Sequence, residues 1–159
     1  MPSPFTSLSS PPSSCDIFCR VIDNYGDIGV CWRLAKQLAG EHGWAVRLWV
    51  DDLGAFARIC PLIDRLALRQ TIDGIDIHRW NENSQAFEAT VPGDIVIEAF
   101  ACHLPESFVE AMARRQTPPV WINLDYLSAE DWVGGCHTLP SPHPRLPLTK
   151  YFFFPGFDA

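Results

Sequence analysis

The chain has 159 residues, 47% of them hydrophobic and 19% charged, with a formal net charge of −7. That length and apolar content fit one domain of ordinary size, with enough core-forming residues to fold. An acidic chain lacks the basic footprint that nucleic-acid phosphates and anionic lipids require, so neither nucleic acid nor a membrane surface is expected as a partner.

Residues 1–14 are mostly Pro and Ser, without a basic cluster or an apolar run. They read as a disordered leader and not as a secretory signal, leaving residues 15–159 as the folded domain. No stretch approaches the roughly 18 uninterrupted apolar residues of a membrane span, and a cytoplasmic location is expected. Residues 17–22 are short, apolar and β-branched, the pattern of a first buried strand. A polar loop follows at 23–29, and beyond it Cys31, Leu34, Ala35 and Leu38 recur at helical spacing, with Arg33, Lys36 and Gln37 opposite and Gly40 and Gly43 ending the helix. Residues 45–50 predict a second strand, and 53–59 a short helix stopped by Pro61. Residues 75–80 alternate like a third strand, and 95–98 form a fourth. Residues 105–115 predict a helix whose Pro105 and Glu106 at the start and Arg114 and Arg115 at the end match the helix dipole. Residues 120–123 form a fifth strand. From 134 to 147 the chain is rich in Pro, Gly and His and predicts an ordered loop or connector. The closing run 151–157 is strongly apolar and reads as a place where more protein follows. Strands alternating with helices in this way imply the α/β class, with a mostly parallel sheet and helices on both faces.

In open α/β sheets ligands bind beyond the carboxyl ends of the strands, which is where loop 23–29 falls. Gly26-x-x-Gly29 lacks the spacing of a dinucleotide fingerprint, and no phosphate-binding Gly-Lys-Ser/Thr occurs. Asp23 and Asp27 are the informative residues. Four apart across a tight turn, both fall near the amino end of the next helix, where carboxylates repel phosphate and are favoured by the dipole. A close carboxylate pair suits a cation, and a planar guanidinium donates two-pronged hydrogen bonds to it better than an ammonium does. A second reading stays open on spacing alone: Asp27 caps the helix and Asp23 holds the turn.

Asp51 and Asp52 read as solvated loop charge. The six cysteines read as buried thiols. The pairs Cys102-His103 and Cys136-His137 would make a zinc site only if each adopted a special turn, because neighbours on an extended chain point apart. His42, His78, His103, His137 and His143 read as structural.

The run 17–35, Ile-Phe-Cys-Arg-Val-Ile-Asp-Asn-Tyr-Gly-Asp-Ile-Gly-Val-Cys-Trp-Arg-Leu-Ala, resembles the opening of the elongation factor P arginine rhamnosyltransferases nearly residue for residue. Four further stretches agree in order: 48–52, 94–102 with Leu104-Pro-Glu106, 121–130, and Tyr151-Phe-Phe-Phe-Pro-Gly-Phe157. The resemblance covers the chain from about Cys15 onward and reaches only that family's amino-terminal domain.

The resemblance implies a Rossmann-like acceptor-binding domain of a GT-B glycosyltransferase. It implies transfer of rhamnose from dTDP-rhamnose to an arginine of elongation factor P, with inversion and without a metal or other cofactor. The nucleotide sugar would be bound mainly by a second domain absent from this chain. Asp23 and Asp27 carry over as the pair engaging the acceptor arginine, with Asp27 as the general base. Asn24, Tyr25 and Gly26 would line the same loop, and Tyr25 stands where the family usually has Phe. Glu98, Asp125 and Tyr126 close the fourth and fifth strands, where substrate contact and a structural role for the two carboxylates remain equally open. Two other functions stand beside this one: a fragment that binds elongation factor P without catalysis, and a nucleotide-dependent oxidoreductase on a similar sheet.

Overall fold

Apolar runs buried on both faces form the middle of the sheet. In the computed structural model, which describes residues 14–156 apart from 24, 84–86, 88 and 129, these are β1 (Ser14–Cys19), β2 (Ala45–Val50) and β5 (Ile95–Ala99). Between and beyond them come α1 (Gly26–His42), α2 (Leu53–Ile59), β3 (Arg69–Ile72), β4 (Ile75–Arg79), α3 (Glu106–Arg114), β6 (Val120–Leu124), α4 (Asp131–Cys136), β7 (Pro140–Pro142) and β8 (Thr149–Phe153). The sheet order is β3-β4-β2-β1-β5-β6-β8-β7. Pairing is parallel from β4 through to β8, and antiparallel only for the outermost strands β3 and β7.

Alternate side chains of each central strand enter different cores. Ile17, Cys19, Leu48, Val50 and Ile97 pack with Ile28, Cys31, Trp32 and Ala35 of α1 and with Leu53 and Phe56 of α2. Phe18, Trp49, Val96 and Trp121 face the other way, against Phe108, Val109 and Met112 of α3. In that second core Phe18 stacks on Trp49 with ring centroids 5.4 Å apart and meets Phe108 edge-on at 4.7 Å. The expected α/β class, mostly parallel sheet and helices on both faces are therefore present. Among the described residues no helix is long and apolar enough to cross a membrane.

The structure corrects several boundaries. The first strand ends at Cys19 and not at residue 22, because the chain turns away to make the loop that α1 grows from. Of the expected leader, residues 1–13 lie outside the described residues and Ser14 already opens β1. Helix α1 starts at Gly26, inside the expected loop, and runs through Gly40 to a left-handed cap at Gly43 (φ 67°), the conformation glycine adopts without steric cost. Residues 134–147 are not one connector: they hold the end of α4 and the edge strand β7. The apolar run at the end contributes β8, which pairs with β6.

Beneath the sheet, at the amino ends of the strands, Asp16 is fully buried and its charge is met on all sides. Arg47 donates to both its oxygens at 2.7 and 2.8 Å, and the Trp49 indole and the Gly93 amide add bonds at 2.9 and 2.6 Å. A side chain at Gly93 would crowd this arrangement, since a Cβ would stand 3.1 Å from the Ser14 backbone and 3.2 Å from Asp16.

Candidate functional site

Strand β1 is the point at which the winding reverses. From β1 the chain goes through α1 to β2 on one side, whereas β5, on the other side of β1, leads through α3 to β6. The loops leaving β1 and β5 therefore diverge and open a crevice at their carboxyl ends, the usual ligand position in such sheets. Asp23 and Asp27 follow β1, Phe100 follows β5, and Asp125 and Tyr126 follow β6.

The turn from β1 into α1 closes through the Gly26 amide, which donates to the Asp23 carbonyl at 2.9 Å. Asp27 falls in the first turn of α1, only 1% exposed. Its Oδ2 accepts the backbone amides of Ile22 and Asp23 at 2.9 and 3.0 Å. Asp27 thus holds the loop, the task that spacing alone left open for Asp23, and it does so through amides that precede the helix. The Asp23 carboxylate is exposed and lies over Gly26, where a Cβ would sit 3.6 Å from its Oδ2.

The other oxygen of Asp27 meets the far side of the crevice. Tyr126 donates its hydroxyl to Asp27 Oδ1 at 2.7 Å. Its ring stacks on Phe100, centroids 4.1 Å apart and planes within 12°. Phe100 stands at φ 54°, a left-handed conformation uncommon for a non-glycine residue, and its amide donates to the Leu124 carbonyl at 2.6 Å. Burial first, then the hydrogen bond to Asp27 and the charges of Asp27, Asp23 and Asp125, push the Tyr126 phenol above the ordinary tyrosine range. The crevice is thus a negative site with a neutral donor at its centre.

The remaining candidates separate. Asp125 accepts the Tyr126 amide at 2.8 Å, and its own amide donates to the Phe153 carbonyl at 2.8 Å, which fixes the chain entering the crevice. Tyr25 is exposed beside α2, where Arg58 donates to its hydroxyl and lies over its ring. That pair borders a notch of about 420 Å³ lined by Ile22, Asp52, Gly54 and Arg65 among others, and neither carboxylate of the loop reaches it. Asn24 lies outside the described residues. Glu98 is not brought to the crevice. It is 1% exposed on the α3 face and takes a hydrogen bond from Lys150 at 2.9 Å, and Lys150 in turn lies over the Trp121 ring.

Asp51 is not solvated loop charge, whereas Asp52 is exposed as expected and has a task besides. Asp51 accepts the Val21 amide at 2.8 Å and so ties the same loop to β2; burial raises its pKa despite that bond. Asp52 caps α2 through the Ala55 amide at 3.0 Å. Among the described residues no three His, Cys, Asp or Glu side chains gather as metal ligands. Phe100 and Lys150 were not singled out from the sequence. Phe100 stood within a matched stretch, but nothing local announces its ring partner at 126.

Residues 15–159 match the family described as Elongation-Factor P (EF-P) rhamnosyltransferase EarP. Curated relatives named protein-arginine rhamnosyltransferase include one from Pseudomonas putida (strain KT2440), 61% identical over 89% of this chain and 37% of its own length. Others come from Pseudomonas aeruginosa (strain PAO1), 57% identical over 91% of this chain and 38% of its own, and Shewanella oneidensis (strain MR-1), 48% over 95% and 39%. The chain therefore spans well under half the length of these relatives. A solved structure described as the structural basis for EarP-mediated arginine glycosylation of translation elongation factor EF-P is 29% identical over 87% of this chain and 59% of that one, at a TM-score of 0.24.

Proposed function

Because the chain belongs to the Elongation-Factor P (EF-P) rhamnosyltransferase EarP family, we propose that it is the acceptor-binding part of an enzyme that transfers rhamnose to an arginine of EF-P. The observation that carries this reading is the loop after β1, which sets an exposed carboxylate, Asp23, beside a buried, amide-held one, Asp27, at the reversal point of the sheet. Two carboxylates in one crevice favour a cation, and a guanidinium offers them paired, coplanar donors.

Arginine keeps its proton in water, so no carboxylate removes it beforehand. In the proposed reaction Asp23 and Asp27 orient the guanidinium. A terminal nitrogen then attacks the anomeric carbon of dTDP-rhamnose, the bond from that carbon to the diphosphate oxygen breaks, and the nitrogen, acidified as the C–N bond forms, gives its proton to Asp27. Attack opposite the leaving group gives inversion, and the oxocarbenium-like carbon needs stabilisation that also reaches the departing diphosphate. We assign that task to a second Rossmann-like domain in a GT-B arrangement, with residues 15–159 as the acceptor domain, and the reaction needs no metal.

The test joins this chain to the remainder of the Pseudomonas putida relative and incubates the chimaera with EF-P and dTDP-rhamnose. The intact mass of EF-P should rise by one deoxyhexose, located on an arginine, and an unchanged mass with a folded chimaera would overturn the reading.

A further inference from the structure

Asp27 is the proposed ligand for a guanidinium, yet both its oxygens are already engaged: Oδ2 by the Ile22 and Asp23 amides, Oδ1 by the Tyr126 hydroxyl at 2.7 Å. At 1% exposure the carboxylate offers a planar two-pronged donor almost no surface. For an arginine to reach it, a present neighbour has to leave. The two amides belong to the backbone of the loop and cannot leave without unmaking the turn into α1. Tyr126 can: the residue is 47% exposed, and residues 125–128 have no regular structure between β6 and α4. A phenol O–H and a guanidinium N–H are both donors, so one substitutes for the other at the same carboxylate oxygen without stranding it.

We propose that Tyr126 is the resting occupant of the acceptor arginine's place on Asp27, and that the site opens by displacing its hydroxyl. The inference rests on the reading of Asp23 and Asp27 as an arginine cradle. The stack on Phe100 gives the closed position its definition, because it fixes the ring at the angle from which the hydroxyl reaches Oδ1. The closed site also discriminates. A ligand that enters has to replace a charge-assisted hydrogen bond, which a cation with several aligned donors does better than one with a single point of charge. Neutral amides or hydroxyls bring no charge to offset the loss.

The experiment titrates N-acetylarginine methylamide against this chain, its Tyr126→Phe variant and its Asp27→Asn variant by NMR. The phenylalanine keeps the stack and removes the hydroxyl. Tyr126→Phe should bind the probe about tenfold tighter than the wild type, since opening no longer breaks a hydrogen bond to a charged group. Asp27→Asn should lose binding. In the wild type, the Tyr126 ring resonances should move as the probe saturates. Binding that is unchanged or weaker in Tyr126→Phe, with Asp27→Asn still unable to bind, overturns this inference and leaves the cradle standing. Equal binding by wild type and Asp27→Asn, or none by any of the three, overturns the cradle and the inference with it. Should Tyr126→Phe not fold, the wild-type titration decides, and a Tyr126 ring that stays still at saturation refutes the displacement.

Discussion

Asp27 and Tyr126 stand 99 residues apart in the chain and meet at 2.7 Å, one at the start of the first helix and the other just past the sixth strand. That contact closes the crevice between β1 and β6 over the end of β5, and it joins the residue proposed as base to a phenol held above its ordinary pKa.

The phenol gives a pH dependence whose sign follows from linkage. A raised pKa in the folded state means that folding holds the proton more tightly than the unfolded chain does. Stability linked to Tyr126 is then intact below the ordinary value of 10.0 and is lost as the pH climbs from there toward the folded value. Urea midpoints measured across about pH 9 to 11 should fall more steeply for the wild type than for Tyr126→Phe. Parallel slopes would show that the phenol titrates normally.

Asp16 gives a prediction about the fold itself. Asp16→Ala would leave the Arg47 guanidinium, the Trp49 indole N–H and the Gly93 amide facing an empty place at the base of the sheet. Breaking a buried pair from one side costs about 3–5 kcal/mol, which calorimetry should register as a Tm drop of roughly 10 °C for a domain of this size. A shift within a degree or two would mean that water reaches these groups.

The thiols should differ in reactivity. Burial and the neighbouring Asp16 push Cys15 up to about 12, and burial and Glu98 push Cys102 up to about 12, while a hydrogen bond with Cys31 and burial raise Cys19. Cys136 is the partly exposed one. Because the thiolate is the reacting form, iodoacetamide at mildly alkaline pH should label Cys136 first in the native chain, as peptide mass mapping would show. Labelling of Cys15 or Cys102 at the same rate would contradict the buried placement.

Much of the fold was legible because most elements carry their own signal. The apolar runs of β1, β2 and β5 and the helical spacing of Cys31, Leu34, Ala35 and Leu38 each name their structure locally. The elements that were missed lack such a signal. Strand β3 buries only Ile72 of its four residues, and β7 has Pro140 and Pro142 in three, a composition tolerated only at a sheet edge. Helix α4 contains Gly134 and Gly135, poor helix formers, and is held by the buried Val133. At the site, the place of Asp23 and Asp27 in one loop beyond β1 was visible in their spacing. The tasks of Asp51, Glu98 and Tyr126 were not, because each depends on a partner 30 to 99 residues away, and sequence spacing says nothing about which side chain arrives from another strand.

The central claim is that Asp23 and Asp27 together hold the acceptor arginine. Its most direct test is the rate of deoxyhexose addition to EF-P by the chimaera with the Pseudomonas putida relative, carrying Asp23→Ala or Asp27→Ala. Each substitution should lower the rate by at least ~100-fold, the scale of a lost general base or of a lost orienting charge, with the fold intact by circular dichroism. A rate within twofold of the unsubstituted chimaera for either variant would contradict the account.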